Sequence, residues 1–144
     1  MKYWFVVTLL GAAAITVVYA QDAPSRSVWD GVYTEDQAQR GQSSYNQYCM
    51  ACHGGSLSGG EQAPPLAGGE FLANWNGLTV GDLFDRIRTS MPLNNPQSLN
   101  RETNAAILSY ILSVNRFPAA QAELPSRSEV LKLIRLEAER PSAK

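Results

Sequence analysis

The stretch Tyr45-Asn46-Gln47-Tyr48-Cys49-Met50-Ala51-Cys52-His53-Gly54-Gly55 decides how this chain is read. It contains both cysteines and the sole histidine of the 144 residues, in the order Cys49-Met50-Ala51-Cys52-His53. Two thiols at this spacing, followed directly by an imidazole, form the pattern of a c-type haem attachment site. The thiols can add across the vinyl groups of one porphyrin edge, and the adjoining His53 is then placed to bring a ring nitrogen to the iron. Two other chemistries use the same cysteines, a redox-active thiol pair and half of a zinc site. Zinc needs four ligands, and the sequence has no further Cys or His. A thiol oxidoreductase needs a thioredoxin-like α/β pattern, which is missing here.

Because His53 stands alone, two imidazoles on one iron are excluded, and the opposite position falls to another donor. Met1 lies in the leader-like start, and Met50 lies inside the attachment loop and cannot reach the far haem face. Met91 remains by elimination. The lysines are Lys2, Lys132 and Lys144, none of them in the segment around the cysteines. Met91 has a bland alternative as a core methionine. Its setting favours ligation, because Met91-Pro92 closes a helical stretch and opens the Pro- and Asn-rich loop Leu93-Asn94-Asn95-Pro96, which a packed helix does not tolerate. With His53 and Met91 both on the iron there is no open position for a substrate. The expected chemistry is therefore outer-sphere transfer of single electrons, without catalysis, and axial Met favours a high potential.

Outside this centre the sequence is informative but plainer. Its formal charge of -1 gives no reason to expect nucleic acid as a partner, which would call for a clustered basic excess. Residues 1–20 read as a cleavable signal peptide: a positive start at Met1-Lys2, an apolar run from Trp4 to Val18, and Val18-Tyr19-Ala20 before a polar Gln21. The run is shorter than the ~20 residues that span a bilayer, so export to the periplasm is expected, with a membrane role only if the leader stays uncleaved. Residues 21–33 read as an N-terminal loop, 34–117 as the haem domain, and 118–144 as a linker and an amphipathic helix.

Within the haem domain the periodicity is helical throughout. Thr34 with Gln37 reads as a capping box opening a first helix, with Ala38, Gly41, Tyr45 and Tyr48 on the face that leads into Cys49. Gly54-Gly55 to Gly59-Gly60 reads as a flexible loop, stiffened by Pro64-Pro65-Leu66, with little regular structure. Thr79 and Asp82 open a second helix that places Leu83 and Ile87 on one side. Asn100 opens a third, with Ile107, Tyr110, Ile111 and Val114 at helical spacing. Ser126 and Glu129 read as a further capping box, starting a fourth helix to about Arg140.

From about Thr34 to Asn115, Cys49-Met50-Ala51-Cys52-His53 with Met91 downstream resembles a class I cytochrome c, of the mono-haem kind that serves bacterial dehydrogenases and oxidases. The resemblance implies an all-α fold of three core helices around one covalent haem c, here with an extra C-terminal helix, and first and last core helices that cross, with Gly41 facing Tyr110. It implies that the Pro64 carbonyl accepts a hydrogen bond from the His53 imidazole, that Leu66 packs on the porphyrin, and that Trp75 lies near a propionate or is an ordinary buried indole. Arg86 and Arg88 either pair with propionates or face solvent.

The expected partners are redox proteins, a dehydrogenase as donor and an oxidase or another cytochrome as acceptor, with no small-molecule substrate. The haem domain carries no lysine ring and mixes acidic with basic residues. Docking is therefore expected through an apolar patch around Gly54 to Leu57 and the attachment loop, with weak salt dependence. Two alternatives stay open: a haem subunit fixed in a quinoprotein-type dehydrogenase or oxidase complex, and a gas-binding haem sensor if Met91 does not ligate.

Overall fold

The computed structural model describes residues 26–61 and 63–142. The leader expected at 1–20 lies outside the described residues. A two-residue strand β1 (Arg26–Ser27) and a 3-10 turn (Val28–Asp30) precede the helices α1 (Glu35–Tyr48), α2 (Met50–His53), α3 (Gly69–Trp75), α4 (Val80–Ser90), α5 (Arg101–Val114) and α6 (Ser128–Leu131). A second strand, β2 (Ile134–Arg135), pairs parallel with β1 in the register Arg26 to Ile134 and Ser27 to Arg135. The fold is all-α with this one small clasp.

Three helices start where a side chain caps them. Thr34 accepts from the Gln37 amide, Asn100 from the Thr103 amide, and Thr79 with Asp82 forms a complete reciprocal box. Each satisfies donors that a helix start leaves unpaired. The box expected at Thr34 is only half made, because the Gln37 side chain turns inward. Its Nε2 donates to the Leu124 carbonyl at 2.9 Å, and its Oε1 accepts from Ser109 Oγ at 2.9 Å and the Leu124 amide at 2.7 Å. A buried amide that finds three partners outweighs one exposed reciprocal bond.

α1 and α5 cross at close quarters and supply much of the core, with Ala38 and Tyr45 from one helix and Ala105, Ile107, Leu108, Ile111 and Leu112 from the other. Gly41 is the contact point, but it faces the backbone of Ala106 and Ile107, not Tyr110. A Cβ there would run into the Ala106 carbonyl and stand 3.1 Å from the Ile107 nitrogen. Tyr110 packs instead on Tyr45, with ring centroids 5.3 Å apart.

Two further expectations are corrected. α3, unforeseen in the sequence, buries Phe71 and brings Leu72 and Trp75 against the core. The fourth helix exists but is short. α6 has no side-chain cap, and Ser126 Oγ donates to Glu102 instead. Beyond Leu131 the chain becomes extended and pairs with β1, so Leu131, Ile134 and Leu136 are buried while Leu133 is exposed. The C-terminal segment thus packs on its own domain.

Candidate haem-binding site

The last turn of α1 runs into α2, and together they set out the attachment segment. Cys49 caps α1 through its amide to the Tyr45 carbonyl at 2.8 Å, and the His53 amide returns to the Cys49 carbonyl at 3.0 Å. Cys49 is half-buried, Cys52 is exposed, and the two are not joined as a disulfide. Burial, with Cys52 adding to it, pushes the Cys49 thiol up to about 11. A redox-active cysteine works through a thiol that ionises readily, so this direction speaks against that alternative at Cys49. Among the described residues no group of three or more His, Cys, Asp or Glu is placed to hold a metal ion.

His53 is buried, and its Nδ1 lies 2.9 Å from the Pro64 carbonyl oxygen. In the neutral ring that bond assigns the proton to Nδ1 and leaves the Nε2 lone pair to a metal. The Pro64 carbonyl is aimed by a loop far more ordered than its glycines suggest. The Gly59 amide donates to the His53 carbonyl at 3.0 Å, and the Gly60 amide to the Ala63 carbonyl at 2.9 Å. Gly59 has a φ of 74°, and a Cβ there would sit 2.6 Å from the Ala63 oxygen and from the Pro65 nitrogen. Only glycine fits, on conformation and on space.

Leu66 follows, half-buried, tied through its amide to the Leu57 carbonyl at 2.8 Å and through its carbonyl to Asn115 Nδ2 at 2.9 Å. Leu57 is fully buried with a φ of 58°, so it anchors this loop and does not belong to an exposed docking patch. Met91 is the C-cap of α4, its amide bonded to the Ile87 carbonyl at 2.9 Å, and it is half-buried against the core. At the far end of its loop, fully buried Asn104 donates from Nδ2 to the Leu99 carbonyl at 3.1 Å and the Asn100 carbonyl at 2.8 Å.

Leu66, Ala67, Leu72, Trp75, Met91 and Leu99 share one property: they are apolar, packed on the core on one side, and still partly open. Trp75 lies 6.4 Å from the Phe71 ring, Arg86 is exposed, and half-buried Arg88 reaches Asp85 at 3.8 Å with its Nε unpartnered. Sequence reasoning missed Gly59, whose space is taken by the backbone of Ala63 to Pro65, Asn104, whose amide returns to carbonyls four and five positions back, and Asn115, which bonds Leu66 and Gly68 from far along the chain. Imidazole nitrogen, two free thiols, a thioether and an apolar lining together fit a haem c.

Fold and attachment segment define a c-type cytochrome, class I in architecture, carrying one covalent haem c with its iron. The family model described as cytochrome c oxidase, cbb3-type, subunit III matches residues 36–111, and the chain belongs to that family. Comparison with curated proteins gives no match. Among solved structures, a chain in the crystal structure of the sulfane dehydrogenase SoxCD from Paracoccus pantotrophus is similar, with a TM-score of 0.50 and 20% identity over 84% of this chain and 68% of that one. That likeness speaks for the fold.

Proposed function

We propose that this cytochrome carries single electrons between redox proteins in the periplasm, through a haem whose iron is held between His53 Nε2 and the Met91 sulfur. The observation that carries the reading is the 2.9 Å bond from His53 Nδ1 to the Pro64 carbonyl, which orients the ring and makes Nε2 the ligating atom. When bound, the haem supplies a ferric/ferrous couple that takes up and gives up one electron. The protein's part is positional: Cys49 and Cys52 would hold the haem by its thioether bonds, His53 and Met91 would supply its ligands, and Leu66 would contribute to its apolar surroundings. An apolar lining disfavours the extra positive charge of the ferric state and, with the thioether ligand, favours a high potential.

The test is the absorption spectrum of the oxidised, haem-loaded protein. The weak long-wavelength charge-transfer band of sulfur bound to ferric haem is expected in the wild type and is lost in Met91→Ala. Attached haem without the band would favour the gas-binding reading.

A second reading has a specific support, because the description of the family names an oxidase subunit. In that case the same haem passes electrons inside a larger complex. The C-terminal segment is not the docking helix for it, since Leu131, Ile134 and Leu136 are buried against their own domain. Leu133 is the exposed apolar side chain of that segment, while Tyr48 and Met50 at the attachment segment and Leu93 beside Met91 are exposed next to the candidate haem site. Co-purification of a partner from the native membrane or periplasm separates the fixed subunit from the free carrier.

A further inference from the structure

The family match ends at residue 111, and residues 126–138, a strap made of α6, β2 and their flanking turns, pack on α4, the helix that Met91 caps. The two are tied at half-buried Asp85, less than two turns before Met91. Ser128 Oγ donates to Asp85 Oδ2 at 2.6 Å, and Lys132 Nζ lies 3.5 Å from the same oxygen. Arg88, on the next turn, reaches Asp85 Oδ1 at 3.8 Å. Leu131 is fully buried between these contacts, and Gly81 leaves so little room that a Cβ would stand 2.6 Å from the Lys132 nitrogen.

The strap also holds the turn that starts α4. The Gly77 amide donates to the Leu136 carbonyl at 2.8 Å, the Leu136 amide to the Leu78 carbonyl at 2.9 Å, and the Ala138 amide to Asn76 Oδ1 at 2.9 Å. Its other side is fixed to the N-terminal clasp, where Ser27 Oγ donates to the Glu137 carboxylate and Trp29 Nε1 to the Glu137 carbonyl at 2.9 Å. α4 is therefore clamped at its start and its middle, and its last turn passes directly into Met91 through the Ile87 bond.

We propose that the strap is a positioning device for the sulfur ligand: through the Ser128, Asp85 and Lys132 cluster it sets how firmly Met91 stays on the iron. Ser128 and Asp85 are positioning residues, acting through α4. This rests on Met91 being the ligand.

The test titrates the ferric, haem-loaded full chain with imidazole, which has to displace the sulfur. Its apparent affinity reports the fraction of molecules with the sulfur off. Ser128→Ala is expected to bind imidazole about fivefold more tightly, the loss of one charge-assisted hydrogen bond partly felt at Met91. Ser128→Thr, which keeps the hydroxyl, stays at the wild-type affinity. Ser27→Ala, cut on the other side of the strap, lowers the melting temperature without moving the imidazole affinity. On a Met91→Ala background, Ser128→Ala has no effect. If the wild type shows the sulfur band but Ser128→Ala leaves imidazole binding unchanged, or Ser27→Ala tightens it equally, the strap is a general stabiliser and the inference is overturned. If the wild type shows no sulfur band, the Met91 reading itself fails and takes the inference with it.

Discussion

At the scale of the residue, most of what organises this protein is a side chain satisfying a piece of backbone. Tyr33 is an example away from the haem. Its hydroxyl donates to the Phe117 carbonyl at 2.6 Å, joining the approach to α1 with the end of α5. Burial, assisted by the charge of Glu35, raises the Tyr33 hydroxyl from 10.0 to about 12. The folded state therefore holds this proton more tightly than the unfolded chain does. The stability linked to it is fully present below about pH 10 and is lost as pH rises towards 12. Tyr33→Phe is expected to cost about 1 kcal/mol at pH 7, since a buried carbonyl loses its donor. The variant's stability should also fall less steeply between pH 10 and 12 than the wild type's, as read by urea unfolding at several pH values. An unchanged alkaline slope would count against the raised value. Residues of this kind are the hard part of reading a sequence. Thr34, Thr79 and Asn100 were legible because a cap and its partner lie three positions apart. Cys49, Cys52 and His53 were legible because attachment chemistry imposes a spacing, and Met91 enters the proposed site by elimination among the methionines. Asn115 and Gln37 bond to partners that only the folded chain brings near, so their roles left no local trace, whereas Asn104 turns back on the nearby Leu99 and Asn100 carbonyls in a way no spacing rule marks.

At the scale of the element, the crossing of α1 and α5 is set by a position where two physical effects oppose each other. Glycine inside a helix is worth about 1 kcal/mol less than alanine, so intrinsic propensity alone predicts that Gly41→Ala stabilises α1. Packing predicts the reverse, because the new methyl would meet the Ala106 carbonyl, part of a helix backbone that no rotamer change moves aside. Forcing the two helices apart costs about 3 kcal/mol, so packing wins by about 2 kcal/mol. For a domain of this size that corresponds to a fall of about 8 °C in melting temperature, measurable by circular dichroism on the haem-loaded protein. A higher melting temperature would mean that the helices do not touch at Gly41. The same scale explains where the helical reading went astray. After Ser126 the sequence carries buried positions at Leu131, Ile134 and Leu136, three apart and then two apart, so it switches from helical to extended spacing within one segment. Ile134 fits either period. What decides for β2 is β1, more than a hundred positions away in sequence and invisible to any local window. α3 escaped for another reason: it begins at Gly68-Gly69 with no side-chain cap, so the usual start signal is missing.

At the scale of the whole molecule, charge and exposed apolar surface determine how the protein meets a partner. The chain is almost neutral, at a formal -1, with acidic and basic residues interspersed, and an exposed close ion pair, Arg40 with Glu123, joins α1 to the segment before the strap. Surface pairs of this kind add little stability and create no directional field. The segments flanking the haem site carry instead Met50, 43% exposed, and Leu93, 75% exposed. A site entered through such a surface should exchange electrons at a rate nearly indifferent to the charge of the reagent. The ferrous protein, oxidised in stopped flow by anionic hexacyanoferrate(III) and by cationic tris(phenanthroline)cobalt(III), is therefore expected to give rate constants that each change less than about threefold between 10 mM and 0.5 M salt, a range over which the screening length falls severalfold. Replacing Met50 and Leu93 together by lysine should break that indifference. The anionic oxidant then reacts about tenfold faster at low salt, the cationic one more slowly, and both differences collapse as salt is added. If the wild type already shows steep and opposite salt dependences with the two reagents, electrons leave through a charged face, and docking on Met50 and Leu93 is ruled out. If only the lysine variant shows them, this apolar rim is the route by which electrons cross.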